Sequence, residues 1–172
     1  MDLESLALSV GEALKRQGLM LATAESCTGG WVAQEVTAIA GSSAWFERGF
    51  VTYANAAKEE MLGVSKETLS AFGAVSLETA REMASGAINH SRADVALAIT
   101  GIAGPSGGSP DKPVGTVCFA WCHRGSAPLA VREVFEGDRQ AVRRQAVARA
   151  LKGLLDMLDG CDGASPPAKS MP

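Results

Sequence analysis

The chain predicts an α/β domain, a three-layer α/β/α sandwich around a mixed, mostly parallel sheet. Two observations carry that expectation. Apolar residues switch repeatedly between helical spacing and short buried runs, and two late strand-like runs stand close enough to form a hairpin. The length, 172 residues of which 47% are hydrophobic and 20% charged, is enough for one domain with a substantial core. The pattern occupies residues 1–160 as a single domain, and 161–172 read as a polar tail without a core pattern.

Each element follows in order. Leu3, Leu6, Ala7, Val10 and Leu14 recur at helical spacing, and Gly18 is a natural stop. A strand is expected over 19–25, then a helix over 30–40 with Trp31, Val32, Val36 and Ile39, ended by Gly41. Residues 45–53, rich in aromatic and β-branched side chains, read as a strand. Short helices are expected over 56–62, closed by Gly63, and over 65–72. Ser76 is placed to cap a longer helix to about His90, with Leu77, Ala80, Met83, Ala84 and Ile88 inward. Val95 to Thr100 is a compact buried strand. A loop follows over 101–113, too long and too rich in glycine and proline for a mere connector. Residues 114–122 and 129–135 suit an antiparallel pair. Asp138 can cap a last helix whose inner face is Val142, Ala146, Val147, Ala150, Leu154, Leu155 and Leu158.

The formal net charge is −3, and the basic residues form no run. Nucleic acid and anionic membrane are therefore not expected as partners. No apolar stretch approaches a membrane span and the N-terminus has no basic-then-apolar signal, so a cytoplasmic setting is expected. Cys27, Cys118, Cys122 and Cys161 form no Cys-x-x-Cys pair, and His90 and His123 are the only histidines to help them. Reduced thiols are expected, with no metal and no cofactor.

Residues 22–30, Ala-Thr-Ala-Glu-Ser-Cys-Thr-Gly-Gly, lie where a strand turns into a helix. Glycines there allow close backbone approach, and the first free amides of the following helix point at any anion in front. A nucleophile at Ser26 or Cys27 would find an oxyanion site beside Thr28, Gly29 and Gly30. A tight turn with a hydroxyl cap accounts for the segment equally well. The second glycine-rich segment, Thr100 to Gly108, also follows a strand. Neither segment matches a phosphate-loop or dinucleotide signature. Tyr53 and Lys58 are five apart, one too many for a Tyr-x-x-x-Lys pair on one helix face. With Tyr53 ending a strand and Lys58 early in the next helix, both can instead face the sheet edge near Ser26. A lysine acting as a base near pH 7 needs its pKa lowered by roughly three units, about 4 kcal/mol, and hence a water-poor pocket. On spacing alone, a solvated lysine before Glu59 and Glu60 is the commoner reading.

Six ordered segments resemble the CinA C-terminal family: Ala-Glu-Ser-Cys-Thr-Gly-Gly at 24–30, Gly-Ser-Ser-Ala-Trp-Phe at 41–46, Gly-Phe-Val-Thr-Tyr-Ala-Asn-Ala-Ala-Lys at 49–58, Gly-Ala-Val-Ser at 73–76, Thr-Gly-Ile-Ala-Gly-Pro at 100–105 and Lys-Pro-Val-Gly-Thr-Val at 112–117. The resemblance implies hydrolysis of the carboxamide of nicotinamide mononucleotide, a small nucleotide, to nicotinic acid mononucleotide and ammonia in pyridine-nucleotide recycling. It implies Ser26 as nucleophile, Lys58 as general base, and Tyr53 as an accompanying hydroxyl. It also implies substrate contacts at Thr100 and Arg139, and a homodimer or larger assembly. The glycine loop, with Gly101 and Gly104, together with Arg139, suits the substrate phosphate.

Other readings stand beside it. Cys27 with His90 or His123 would make a thiol amidase, although no pattern links either histidine to residue 27. A nucleotide sensor without turnover would keep the glycine loops but has no need of Ser26, Tyr53 and Lys58 together. Arg143, Arg144, Arg149 and Lys152 read as the solvated face of the last helix. Trp31, Trp45 and Phe46 suit either the core or a subunit interface.

Overall fold

The computed structural model describes residues 1–161. Residues 162–172, nearly all of the expected tail, lie outside them. Six helices and five strands follow in the order α1 (Leu3–Gln17), β1 (Leu21–Glu25), α2 (Trp31–Thr37), β2 (Phe46–Val51), α3 (Asn55–Leu62), α4 (Lys66–Phe72), α5 (Leu77–Asn89), β3 (Val95–Gly101), β4 (Thr116–His123), β5 (Leu129–Val134) and α6 (Arg139–Cys161). The sheet order is β2-β1-β3-β4-β5. β1 pairs in parallel with β2 and β3, whereas β4 is antiparallel to both β3 and β5. Four strands thus run one way and β4 runs against them, the mixed and mostly parallel sheet that the sequence predicts.

Local chemistry explains the element ends. Asp2 accepts from Ser5 N at α1, Ser65 from Thr68 N at α4, and Ser76 from Thr79 N at α5. Asp138 accepts from Ala141 N at 2.8 Å in the first turn of α6. Gly18 and Gly63 close α1 and α3 in the left-handed conformation. Several boundaries differ from expectation by a residue or two, β2 spanning 46–51 and β4 starting at Thr116, and two of the differences have a visible cause. β1 starts at Leu21 because Asp94 takes the Met20 amide before the sheet does. α2 stops at Thr37, whose hydroxyl donates back to Ala33 O, so residues 38–40 of the expected helix form turns, and a 3-10 turn over Ser42–Ala44 follows Gly41.

The two faces of the sheet are built from different residues. Val95, Leu97, Ile99, Val117, Phe119 and Trp121 pack against α1, α2 and α6. Ala22, Ala24, Ala96, Ala98, Cys118, Ala120 and Cys122 point the other way, onto Ala80, Met83, Ala84 and Ala87 of α5. The period-2 alternation is complete, but the second face is nearly all small residues, so α5 lies close on the sheet. A side chain at Gly86 would collide with the Leu62 carbonyl, which fixes how tightly α3 sits against α5. Trp45 is 3% exposed and packs over Gly11, so it is a core residue and not a surface one. Cys27, Cys118 and Cys122 are buried and unpaired. No helix among the described residues is long and apolar enough to cross a membrane.

This topology also fixes where a site can form. From β1 the chain passes through α2 to β2 on one side, then returns through α3, α4 and α5 to β3 on the other. The carboxyl ends of β1 and β3 therefore border a crevice, the place where open α/β sheets hold ligands.

Candidate active site

Ser26 follows β1 directly, and its amide donates to Ile99 O at 3.0 Å, tying the turn to β3. The next strand, β2, leads through Thr52 and Tyr53 into α3, which carries Lys58 one turn in. Lys58 Nζ donates to Ser26 Oγ at 2.8 Å, to Thr52 O at 2.9 Å and to Tyr53 O at 3.2 Å. Lys58 is 1% exposed, and none of these partners is a carboxylate. Burial therefore pushes the Lys58 amine below the ordinary lysine range, with the neighbouring Cys27 thiol acting weakly in the opposite sense.

A cavity of about 240 Å³ opens over this pair. Of the residues singled out in the sequence, Ser26, Cys27, Tyr53, Lys58, Thr100, Gly101, Gly104 and Arg139 line it. Thr100 donates its hydroxyl to Ala74 O at 2.8 Å, which joins β3 to the segment before α5. Arg139, at the start of α6, donates to Gly104 O at 2.8 Å and to the Tyr53 hydroxyl at 3.1 Å.

Three expectations are corrected here. Thr28, Gly29 and Gly30 do not line the cavity. Thr28 is fully buried and gives its hydroxyl to Glu25 Oε1 at 2.6 Å. The free amides expected at the start of α2 are not all available either. Glu25 takes those of Val32 at 2.9 Å and Ala33 at 3.1 Å, and Gly29 N closes the turn on Ser26 O at 3.0 Å. Tyr53 is the third case. It is 62% exposed, it meets Lys58 through its carbonyl, and its hydroxyl belongs to Arg139.

The thiol alternative does not fit this geometry. Burial pushes the Cys27 thiol up to about 11, away from the thiolate that nucleophilic sulfur requires. His123 is paired with Val95 at the opposite end of β3 from Gly101, about 20 Å of strand away. His90 caps the end of α5 that leads into β3, and its Nδ1 lies 2.8 Å from Gly86 O.

Two residues that the sequence reading passed over as site residues are prominent. Glu25 and Lys58 are the charged side chains buried among the described residues, and both border Ser26. Glu25 stands just before the nucleophile candidate in an apolar strand, a position where a carboxylate needs a reason. Arg143, read as part of a solvated face, donates through Nε to Cys27 O at 3.1 Å and through Nη2 to Thr28 O at 3.3 Å.

Fold and site together define a three-layer α/β protein with a serine–lysine pair at the switch point of its sheet. A model of the CinA C-terminal domain family matches residues 3–158, and the chain belongs to that family. It is 59% identical over 153 residues to the nicotinamide-nucleotide amidohydrolase PncC of Escherichia coli strain K12, covering 89% of this chain and 93% of that one. The Pseudomonas putida protein of the same name is 52% identical over 153 residues, covering 89% and 95%. Among solved structures, the competence/damage inducible protein CihA from Agrobacterium tumefaciens superposes with a TM-score of 0.88 at 49% identity, covering 92% of this chain and 96% of its own. The competence damage-inducible protein A from Klebsiella pneumoniae gives 0.89 at 41% identity, covering 92% and 98%.

Proposed function

We propose that this protein hydrolyses the carboxamide of nicotinamide mononucleotide, releasing ammonia and nicotinic acid mononucleotide, and so returns a pyridine nucleotide to use. The observation that carries the reading is the 2.8 Å approach of a buried, carboxylate-free lysine to Ser26 Oγ, in a chain whose relatives are named for this hydrolysis.

In its neutral form Lys58 keeps two N–H bonds to Thr52 O and Tyr53 O and turns its lone pair to the Ser26 hydroxyl. That is the arrangement of a general base beside an oxygen nucleophile. Ser26 Oγ attacks the amide carbon as its proton passes to Lys58, giving a tetrahedral oxyanion. The oxyanion falls to the amide of Cys27, which lines the cavity beside Ser26, since those of Gly29, Val32 and Ala33 already have acceptors within the chain. The Lys58 ammonium returns the proton to the leaving nitrogen, ammonia departs, and an ester to Ser26 remains. Water, activated by the same amine, then attacks the ester, freeing the acid and restoring Ser26. Neither step needs a metal or a histidine. The cavity takes the pyridine carboxamide, and the phosphate falls to the rim. There Arg139 retains guanidinium N–H groups beyond the two it gives to Gly104 and Tyr53.

Ammonia release from nicotinamide mononucleotide tests the assignment. Wild type and Cys27→Ala turn over, whereas Ser26→Ala and Lys58→Ala fall by about 10³-fold or more. Activity kept by Ser26→Ala and lost in Cys27→Ala would reverse the roles of the two neighbours. Tight nucleotide binding without turnover in the wild type would favour a sensor.

A further inference from the structure

The Ser26 turn is held from two sides, and only the inner hold is built from residues of the turn's own strand. On the inside Glu25 fixes the Thr28 hydroxyl and the first amides of α2. On the outside stands Arg143, half-buried on α6, one helical turn beyond Arg139. It does not line the cavity. Its guanidinium lies 5.4 Å from the centre of the Trp31 ring, and Trp31 is itself anchored by Nε1 donating to Glu35 at 2.9 Å. The ring holds the guanidinium by a cation–π contact, and the fork reaches two successive carbonyls, those of Cys27 and Thr28.

We propose that Arg143 is a positioning residue for the nucleophile: by holding the carbonyls of Cys27 and Thr28 it fixes the peptide groups that follow Ser26, and so the aim of Ser26 Oγ and of the turn amides. The inference rests on the reading of Ser26 as nucleophile. Two features make the outer hold necessary. In a trans peptide the carbonyl and the next residue's N–H point oppositely, so anchoring these carbonyls also sets the amides of Thr28 and Gly29. The turn then runs into Gly29 at φ 62° and Gly30 at φ 103°, two residues with little conformational preference of their own. Without Arg143 the Cys27 carbonyl is released and the Thr28 carbonyl keeps the Trp31 amide at 3.0 Å, just ahead of that glycine pair, and small displacements of a reacting group cost about 10- to 100-fold in rate.

The test uses Arg143→Ala and Arg143→Lys in the full chain, with three readouts: melting temperature, kcat and KM for nicotinamide mononucleotide, and the rate at which a fluorophosphonate labels Ser26, located by mass spectrometry. In Arg143→Ala, kcat and the labelling rate are expected to fall together by about 10- to 100-fold, with KM and melting temperature little changed. Arg143→Lys, which can reach one carbonyl but lacks the planar fork, falls between. Added ethylguanidinium is expected to restore part of both rates in Arg143→Ala and none in Ser26→Ala. Wild-type kcat and labelling in Arg143→Ala would overturn the proposal. So would a rise in KM at constant kcat, which would make Arg143 a substrate contact, or a loss no larger than the unfolded fraction. A wild type that is labelled at Ser26 but leaves nicotinamide mononucleotide intact refutes the substrate alone, and Arg143 is then judged on labelling. One that is neither labelled nor active overturns both.

Discussion

A lysine stripped of water loses the solvation that keeps it charged, and Lys58 has no carboxylate partner to replace it. Two pH effects follow. In the proposed mechanism Lys58 acts as the neutral amine, so kcat/KM is expected to rise with pH along a limb centred below about 10.4, the ordinary lysine value. That limb should vanish in the residual activity of Lys58→Met. The second effect is on stability. Between the lowered folded value and the ordinary unfolded one, the unfolded chain binds more protons, so this residue's contribution to stability grows as pH rises and its penalty is largest at low pH. Urea denaturation is therefore expected to show wild type gaining on Lys58→Met between neutral pH and about pH 10. A stability difference independent of pH would mean that the amine is charged alike in both states. At this scale the sequence showed residue types but not their solvation. Lys58 precedes two glutamates and looks like a surface lysine; its burial comes from Thr52, Tyr53 and Ser26, up to 32 residues away. Arg143 was misread for the same reason: its acceptors lie 116 and 115 positions back in the chain.

At the scale of elements, the placement of α3 decides whether Lys58 reaches Ser26, and α3 is placed by α5. Gly86 has no room for a methyl group because the Leu62 carbonyl fills it, and Gly153 has none because the Trp121 ring does. Trp121 cannot move aside freely, since its Nε1 donates to Ala150 O at 2.9 Å. Both Gly86→Ala and Gly153→Ala are expected to destabilise by roughly 1–3 kcal/mol, read as a lowered melting temperature. Their effects on activity should differ. Gly86→Ala pushes on the helix that carries Lys58 and is expected to lower kcat in the fraction that remains folded. Gly153→Ala strains α6 against β4 on the other face and leaves the activity of the folded fraction close to wild type. Helix and strand identities were legible because they rest on local spacing and capping residues such as Ser65, Ser76 and Asp138. The early end of α2 was not, because Thr37 turning its hydroxyl onto Ala33 O competes with helix continuation in a way that apolar spacing does not register.

Across the whole molecule the sheet separates two unlike cores. One face uses Val, Leu, Ile, Phe and Trp beneath α1, α2 and α6; the other uses Ala and Cys beneath α5. A cavity is the threat on the first face and crowding on the second. Leu97→Ala is expected to cost about 2–5 kcal/mol. Ala98→Val, its neighbour on the opposite face, is expected to cost about 1–3 kcal/mol although it adds apolar surface. Denaturant titration measures both, and a stabilised Ala98→Val would show that α5 has slack against the sheet.

The sequence by itself determined the alternation of helices and strands, the hairpin near the end and the two glycine-bearing turns at strand ends, and its ordered motifs singled out Ser26 and Lys58 through family resemblance. These depend on periodicity, caps and motif order, which are properties of neighbours along the chain. Tertiary structure alone decided that Lys58 is dry and touches Ser26. It also decided that Tyr53 offers Lys58 its carbonyl instead of its hydroxyl, that Glu25 uses amides expected to stay free, and that Arg143 grips the Ser26 turn. The reason is physical: solvation and hydrogen-bond partnership are set by whatever the fold brings within about 3 Å, and the partners of Lys58 at Ser26 and of Arg143 are distant in sequence.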